Sequence, residues 1–320
     1  MQKEKSWLHP LLFICSRFYL AGAFFRKRLY THLFSPFRSS AFVISVGSPV
    51  AGGSGKTPIV LWLLQHIGSE KCAVITRGYR SKGEKAKRPL IVEEHNPDQF
   101  GDEAVLIKKK APHAMVIVGK KRSRSLRIAE KRKKIAILDD GMQHWPVDRD
   151  VEIVTVKEED LQPPERYLPR GFLREPFTSF ARADLVFFEG KETKPIKKYT
   201  KAPIVHIERV LEEPLLSDGS LCEIRRGSLF CAIARPESFL ASVKKLGFSV
   251  VYHQFFADHD PFSKSQIENL WKENTKHGGH VLFCTEKDWV KVPKIEGIPI
   301  AYFPLSLRVI KGIEHVNKFI

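Results

Sequence analysis

The sequence predicts an α/β protein with a mainly parallel sheet, helices on both faces and a smaller C-terminal α/β domain. Short apolar runs rich in β-branched residues alternate with helical stretches or loops along the first part of the chain. A glycine-rich loop stands between the first of these runs and a helical pattern, and a second group of short strands follows residue 227. Together these observations favour a sheet of the P-loop NTPase type.

The strands follow from local composition. In the main sheet they are predicted at about 42–46, 72–76, 115–118, 135–138, 151–156 and 184–188, and in the second unit near 229–233, 249–253, 281–284 and 299–303. Residues 203–226 are predicted to form two strands around the Asp218-Gly219 turn, a β-hairpin linker between the domains. The predicted segments are 1–40 at the N-terminus as part of the first domain, 41–202 as the P-loop core, 203–226 as the linker and 227–320 as the C-terminal domain.

The charge balance predicts an anionic partner. The 320 residues carry 53 Lys and Arg against 36 Asp and Glu, a formal charge of +17. Nucleic acid, an acidic lipid surface or a phosphorylated substrate would each fit this excess. The basic run 108–134 is either a solvated helix face or a nucleic-acid contact, although it lacks the interleaved aromatic residues of stacking surfaces. Five scattered cysteines without a C-x-x-C pair argue against a disulfide framework and a structural zinc site, and favour a reducing cytoplasm.

The N-terminal segment is apolar, aromatic and basic. Residues 7–25 are interrupted by Arg17 and followed at once by three basic residues, 26–28. The uncharged pieces fall short of the ~20 residues that a spanning helix needs, and no small-residue cleavage site precedes the basic cluster. We therefore expect a helix lying in a membrane interface, with Ser16 and Arg17 on its polar side. The alternative is an apolar first helix packed on its own domain.

The glycine-rich loop has the context of a Walker A motif. The strand 41–46 leads into 47–57 (GSPVAGGSGKT), and a helix follows with Pro58 in its first turn. The residues predicted to bind the nucleotide are Gly52, Gly53, Ser54, Gly55, Lys56, Thr57 and Pro58. Lys56 would reach the β- and γ-phosphates of ATP, and the Thr57 hydroxyl would coordinate Mg²⁺. Val50 stands where the usual pattern has glycine, and Ala51 stands where membrane-binding partitioning ATPases have lysine.

Acidic residues follow the predicted strand 135–138. Asp139 and Asp140 begin the motif DDGMQH (139–144), at the edge of the sheet where a Walker B acid organises Mg²⁺. A simple Asp-Gly turn would explain Asp140 and Gly141 but not the Gln-His that follows. We therefore predict a magnesium site made by Thr57, Asp139 and Asp140.

The motifs occur in a fixed order that resembles one enzyme family. They are GGSGKTP (52–58), RGY (77–79), GDE (101–103), DDGMQH (139–144), LREP (173–176), FCAIARPE (230–237), DH (258–259) and TEKD (285–288). Over essentially the whole chain this resembles tetraacyldisaccharide 4′-kinase, a lipid A pathway enzyme. The resemblance implies γ-phosphoryl transfer from ATP to the 4′-hydroxyl of tetraacyldisaccharide 1-phosphate. It also implies a peripheral enzyme, expected as a monomer, at the cytoplasmic face of the inner membrane of a Gram-negative-type bacterium.

The resemblance also assigns roles to matching positions. Asp102 would accept the proton of the attacking sugar hydroxyl, and His259, from the other domain, would pair with it and raise its basicity. The candidates for contact with phosphate or substrate are Arg77, Tyr79, Arg122, Gln143, His144 and Arg174. Departures from the family pattern at Arg80, Ser81, Arg170 and Phe172 fall in expected substrate-side loops.

Two other classes of function stay open on the sequence alone. A P-loop ATPase or metallochaperone would hydrolyse ATP to drive a switch, with no phosphate acceptor. A nucleic-acid-binding module would use the basic run 108–134 and bind in a salt-sensitive way.

Overall fold

The computed structural model describes residues 8–320, and of Leu8 and His9 only the backbone. Trp7 and the rest of the predicted segment before it lie outside the described residues. The helices are α1 (Leu8–His32), α2 (Lys56–Ile67), α3 (Lys82–Lys85), α4 (Pro97–Phe100), α5 (Asp102–Lys110), α6 (Arg122–Ala129), α7 (Lys194–Lys197), α8 (Pro236–Lys245), α9 (Lys264–Lys276), α10 (Glu286–Trp289) and α11 (Ile313–Val316).

A large sheet forms the centre of the first unit. Its strands are β1 (Phe42–Gly47), β2 (Cys72–Thr76), β3 (Leu90–Ile91), β4 (Met115–Val118), β5 (Ile135–Asp139), β6 (Val151–Lys157), β7 (Leu185–Glu189), β8 (Ile204–Leu211) and β14 (Leu305–Lys311). They lie in the order β14-β8-β7-β6-β1-β5-β2-β4-β3. The pairs from β8 to β4 are parallel, and the edge strands β14 and β3 are antiparallel to their neighbours. The predicted mainly parallel sheet is therefore confirmed.

Both faces of this sheet are covered, which explains its continuous apolar strands. Helices α2 and α5 pack on one face, where Leu63 and Val105 join the core around Ile44 and Ile137. Helix α6 covers part of the other face through Leu126. The central strands β1, β5 and β2 are parallel, so their carboxyl ends open on one edge of the sheet, and the phosphate loop and the acidic motif both follow strands there.

A smaller five-stranded sheet forms the second unit. Its strands are β9 (Leu215–Leu216), β10 (Arg226–Cys231), β11 (Ser249–Phe255), β12 (Leu282–Thr285) and β13 (Ile300–Phe303), in the order β11-β10-β12-β13-β9. Its core contains aromatic contacts such as those of Phe248 with Phe283 and with Phe303.

The predicted hairpin linker is wrong. The Asp218-Gly219 turn joins Leu215 to Leu221 through an isolated bridge, whereas the strands on either side of residues 212–214 belong to different sheets. The long strand β8 pairs instead with β14, so that Leu211 lies opposite Leu305. The chain after Pro304 thus returns to the large sheet rather than staying in the predicted C-terminal domain. A local turn signal could not reveal this pairing, because its partners lie far apart in the sequence.

Helix α1 packs on the first unit through one face only. Ser16, predicted on the polar side, is buried instead, and its hydroxyl donates to the carbonyl of Tyr167 at 3.0 Å. Large apolar side chains on the outer face are exposed, including Phe18 at 75% and Phe25 at 68%. Among the described helices none is long and apolar enough to cross a membrane.

Candidate active site

The phosphate loop is shaped by glycines with positive φ. Gly52 and Gly53 have φ of 69° and 61°, and Gly55, at 81°, caps the start of α2. This left-handed conformation suits glycine because other L-residues place their Cβ too close to the backbone. Lys56 and Thr57 follow directly as the first residues of α2, with Pro58 beside them. The helix amino terminus therefore faces the loop, as a phosphate site requires.

The first half of the loop is held against residues 172–174 by backbone hydrogen bonds, which accounts for Val50. Val50 is buried and forms an isolated antiparallel bridge with Leu173. The amide of Ala51 donates to the carbonyl of Phe172 at 2.7 Å, and the amide of Arg174 donates to the carbonyl of Pro49 at 2.6 Å. A side chain at position 50 thus contributes to the core where the usual motif has a bare glycine.

Three cations surround Asp140 at the end of β5. Lys56 Nζ lies 3.4 Å from Asp140 Oδ1, and Arg174 Nη1 donates to both carboxylate oxygens at 2.8 and 2.9 Å. Arg122, which is buried, donates to the carbonyl of Asp140 at 2.6 Å. Burial alone would raise the pKa of Asp140, but Lys56, Arg174 and Arg122 outweigh it and hold that pKa well below its usual range. Asp140 is therefore a carboxylate at neutral pH.

Asp139 has the opposite environment. It is 5% exposed, and its Oδ1 is buried without a hydrogen-bond partner among the described residues. Burial, followed by the charges of Asp140 and Glu103, raises the pKa of Asp139 to about 6. An orphaned buried carboxylate oxygen beside a second carboxylate suits a bound cation. Within residues 8–320 no cluster of three or more His, Cys, Asp or Glu side chains is arranged to hold a metal ion.

Asp102 and His259 meet across the two units. Asp102 is the first residue of α5, and its Oδ2 lies 3.1 Å from His259 Nδ1. His259 follows β11 of the smaller unit and has a φ of 67°, an uncommon conformation for a residue with a side chain. The ring of Tyr79 packs edge-on against the imidazole at 5.2 Å between centroids. Strained residues concentrate at functional sites, and Asp140 and Arg80 share this positive φ.

The electrostatic effect of His259 is opposite to the sequence-based expectation. Burial would raise the pKa of Asp102, but the hydrogen bond from His259 and the charges of Lys291 and Lys287 lower it below the ordinary value. The expectation that His259 raises the basicity of Asp102 is therefore wrong for this arrangement, because a donor and nearby cations stabilise the carboxylate.

The substrate-side residues form two groups. Arg122, Gln143, His144 and Arg174 lie around Asp140, where Gln143 Oε1 accepts from Arg174 at 3.3 Å and Gln143 Nε2 donates to the carbonyl of Ser48 at 3.0 Å. Burial and the charges of surrounding arginines, Arg122 and Arg149 first among them, lower the pKa of His144 to about 3. Tyr79 lies instead beside His259. Arg77 is half exposed and pairs with Glu84 at 2.5 Å.

Several residues that complete the site were not predicted. Arg209 of β8 donates to the carbonyl of Gly53 at 3.0 Å, which braces the phosphate loop from the neighbouring strand. Arg235 of the smaller unit packs beside Gly53 and pairs with Glu159 at 2.6 Å. Lys287 and Lys291 surround the Asp102–His259 pair. Arg235 and Lys287 belong to the motifs FCAIARPE and TEKD, so the sequence offered a way to find them. Arg209 and Lys291 lie outside every motif, and no local pattern indicates a role for them.

Comparison with known proteins agrees with this geometry. The family described as Tetraacyldisaccharide-1-P 4'-kinase matches residues 8–319. The chain belongs to this family.

Individual tetraacyldisaccharide 4′-kinases that are similar to this chain support the same assignment. The enzyme of that name from Chlamydia caviae is 34% identical over 84% of this chain and 77% of its own. The one from Chlorobium phaeovibrioides is 33% identical over 90% of this chain and 89% of its own. A crystal structure of LpxK from Aquifex aeolicus in complex with ATP superimposes with a TM-score of 0.76 at 29% identity, covering 98% of both chains. As a member of this kinase family the chain is an ATP-dependent phosphotransferase of lipid A synthesis.

The departures from the tetraacyldisaccharide 4′-kinase pattern have structural counterparts. Arg80 adopts a φ of 61°, which explains why that position suits glycine. Its Nη1 donates to the carbonyl of Asp258 at 2.8 Å, so the arginine joins the two units beside His259. The Ser81 hydroxyl accepts from the amide of Glu84 and caps α3. Arg170 lies 5.4 Å over the ring of Phe13 in α1, whereas exposed Phe172 lies near Arg235 of the smaller unit.

Proposed function

We propose that Asp102 removes the proton from the 4′-hydroxyl of tetraacyldisaccharide 1-phosphate while that oxygen attacks the γ-phosphorus of ATP. The bond from the γ-phosphorus to the bridging oxygen then breaks, and ADP leaves. The observation that carries this proposal is the 3.1 Å contact between Asp102 Oδ2 and His259 Nδ1 on the edge of the sheet that also holds the phosphate loop. A carboxylate held in one orientation beside the transferring phosphate is what phosphoryl transfer to an alcohol needs.

The nucleotide would be held by the phosphate loop. Backbone amides of Gly52, Gly53 and Gly55 and the amino terminus of α2 would surround the β- and γ-phosphates. Lys56, which now contacts Ser54 at 3.0 Å and Asp140 at 3.4 Å, would turn its ammonium to the γ-phosphate. The charge that develops on the phosphoryl oxygens would then be neutralised without rearrangement of the loop.

Thr57, Asp139 and Asp140 would hold Mg²⁺. The unpartnered buried oxygen of Asp139 supports this set. When bound, the ion would neutralise the charge of the β- and γ-phosphates and orient them. Arg174 donates to both carboxylate oxygens of Asp140, and Arg122 donates to its backbone carbonyl, so the two arginines would hold this ligand in place.

The acceptor would approach from a membrane surface through α1. The exposed apolar face of α1 carries Phe18 and Phe25 on one side of the helix, and basic side chains, Arg26 and Arg28 among them, lie beside it. The same helix contacts the site's own loops, since the amide of Arg170 donates to the Ser16 hydroxyl at 3.3 Å. A lipid with its acyl chains in the bilayer could thus present its sugar head to the site.

The transfer itself tests this function. Purified protein is given γ-labelled ATP, Mg²⁺ and tetraacyldisaccharide 1-phosphate in mixed micelles, and the lipid product is analysed by ³¹P NMR. We expect one new phosphate monoester at the 4′ position, lost in Lys56→Met but kept in Lys71→Met, an exposed lysine in a short turn after α2. ATP hydrolysis without labelled lipid would refute the proposal and favour a switch ATPase.

A further inference from the structure

Two lysines of the smaller unit enclose the Asp102–His259 pair. Lys287 lies in α10, and Lys291 follows four residues later, just beyond the end of that helix. The side chain of Lys291 is only 5% exposed and that of Lys287 is 23% exposed. Burying a lysine ammonium costs free energy unless the group is paired and hydrogen-bonded. The partners of both ammonium groups therefore have to be identified.

Lys287 determines which nitrogen of His259 carries the proton. Its Nζ lies 3.2 Å from His259 Nε2. An ammonium group can only donate, so Nε2 must accept, and the neutral ring then carries its hydrogen on Nδ1. That hydrogen points to Asp102 Oδ2 at 3.1 Å. Glu103 Oε1 and Asp258 Oδ1 also face Nε2, at 3.7 and 3.8 Å, but both lie beyond hydrogen-bond distance. The contact with Lys287 therefore favours the tautomer that donates from Nδ1 to Asp102.

Acidic neighbours keep Lys287 charged. Glu103 Oε1 lies 2.9 Å from its Nζ, and Asp258 Oδ1 lies at 3.7 Å. Burial would lower the pKa of Lys287, but Glu103 and Asp258 outweigh it and raise that pKa. The donor to His259 is therefore a permanent cation at physiological pH.

Lys291 holds the carboxylate itself. Its Nζ lies 3.3 Å from Asp102 Oδ2, 3.1 Å from Asp288 Oδ1 and 3.1 Å from the carbonyl oxygen of Asp260. Asp288 is fully buried and accepts through Oδ2 from the Ala232 amide and the Thr285 hydroxyl. Lys291 is thus anchored inside the smaller unit and reaches across to the first residue of α5.

We propose that Lys287 and Lys291 are positioning residues for phosphoryl transfer, Lys287 by fixing the tautomer of His259 and Lys291 by holding Asp102 Oδ2. The closest contacts that His259 and Lys291 make with the Asp102 carboxylate are both at Oδ2. This leaves Oδ1 to receive the proton of the acceptor hydroxyl. The inference rests on the proposed role of Asp102, and it makes the active carboxylate depend on its contacts with the smaller unit.

A purely structural role is the alternative, because a buried ion pair can join two units without acting on the chemistry. The two roles differ in one respect. A cation that faces Asp102 alters the pH at which the carboxylate is protonated, whereas a remote bridge does not. The titratable groups that face Asp102 are His259, Lys287, Lys291 and Glu103, and Asp288 lies behind Lys291.

The test uses Lys291→Met, which keeps the length of the side chain and removes its charge. We expect kcat to fall about 10²-fold with the KM for ATP unchanged, because loss of position at the reacting atoms slows only the chemical step. The acid limb of the kcat profile should move upward by about one pH unit, since a nearby cation favours the carboxylate. A profile that superimposes on that of wild type would overturn the proposal for Lys291.

A second variant covers the case in which Lys291→Met does not fold because Asp288 is left unpaired. Lys291→Met/Asp288→Asn removes both members of the pair in the smaller unit, and it should show the same upward shift of the acid limb. If the double variant folds and keeps the wild-type profile, Lys291 is structural only. Lys264→Met, at the exposed start of α9, is the matched control and should keep the wild-type profile.

Lys287→Met tests the tautomer. In ¹⁵N spectra of protein labelled at histidine, with the His259 signals assigned by their loss in His259→Gln, wild type should show the hydrogen on Nδ1. The variant should show a mixture with Nε2–H and a lower kcat. An unchanged tautomer would overturn the proposal for Lys287. Asp102→Asn distinguishes failure of the proposed base from failure of the proposed positioning residues. If Asp102→Asn keeps full transfer, Asp102 is not the base. If Asp102→Asn loses transfer while Lys287→Met and Lys291→Met keep it, Asp102 remains the base and the two lysines are not positioning residues.

Discussion

Arg174 donates to both carboxylate oxygens of Asp140, at 2.8 and 2.9 Å, from a segment that also holds the first half of the phosphate loop. The backbone of Arg174 contacts Pro49, and its side chain contacts the proposed magnesium ligand. One residue therefore fixes the nucleotide loop and the acidic motif relative to each other.

Removing this link should impair catalysis more than folding. We expect Arg174→Ala to lower kcat/KM about 10²-fold, because Asp140 would lose its orientation at the phosphates. Arg174→Lys should recover only part of this loss, since an ammonium lacks the planar fork of the guanidinium. Steady-state kinetics of both variants test this, with the exposed Arg132→Ala as control. Equal activity in Arg174→Ala and wild type would contradict the role of Arg174.

His144 should make stability sensitive to acid. Its pKa is about 3 in the folded protein against 6.5 for the ordinary side chain. The unfolded chain therefore binds a proton between these values that the folded protein does not bind. The free energy of unfolding should fall as the pH falls through this window, by up to about 1.4 kcal/mol per pH unit from this residue, and the contribution should be complete above pH 6.5.

Urea unfolding at pH 4 to 8 measures this effect. His144→Asn should show a smaller fall of the unfolding free energy below pH 6.5 than wild type, and a constant difference from wild type above pH 7. Parallel curves over the whole range would show that His144 does not titrate in this way.

Arg80 should carry backbone strain that glycine would relieve. Arg80→Ala and Arg80→Gly both lose the contact with Asp258, and they differ in the ability to adopt a φ of 61°. We expect the glycine variant to be more stable than the alanine variant by about 1 kcal/mol in urea unfolding. The same pair at exposed Lys272, inside α9, should show the reverse order, because glycine weakens a helix. If the Arg80→Ala variant were more stable in urea unfolding than the Arg80→Gly variant, the proposed backbone strain at position 80 would be contradicted.

The outer face of α1 should bind anionic membranes. Replacing Phe18 and Phe25 with serine removes exposed apolar area at a membrane interface, where burial contributes roughly 25 cal/mol per Å². We expect the double variant to sediment less with vesicles containing phosphatidylglycerol, and wild type to bind more weakly at high salt. Replacing exposed Leu246, at the end of α8, should leave sedimentation unchanged. Equal sedimentation of the double variant and wild type would refute this surface.

The sequence predicts best what is decided locally. The core strands around Ile44 and Ile137 are continuous apolar runs, and the helix start at Lys56 follows from glycines and a proline. The pairing of β8 with β14 depends on residues about a hundred positions apart, and no local pattern encodes it. For the same reason Lys291 carries no signal, and the contact of Asp102 with His259 was expected only from the resemblance to a family.

The placement of Ser16 on the polar side of α1 is wrong for a related reason. Ser16 is polar, and in an isolated amphipathic helix it would lie with Arg17 on the solvent-exposed side. Its hydroxyl, however, finds a buried partner in the carbonyl of Tyr167, and the aromatic residues then face outward. The amphipathic pattern alone cannot show which side of a helix packs on the protein when both sides are partly apolar.

The most direct test of the account is the rate of lipid phosphorylation by Asp102→Asn, measured together with its affinity for ATP. Asparagine keeps the shape of the side chain but cannot accept the proton, so phosphorylation should fall about 10²- to 10⁴-fold while the dissociation constant for ATP stays within twofold of wild type. Asp98→Asn, at an exposed acid in α4, should keep the wild-type rate. Near-normal phosphorylation by Asp102→Asn would contradict the central claim that this carboxylate, held between two units, is the base.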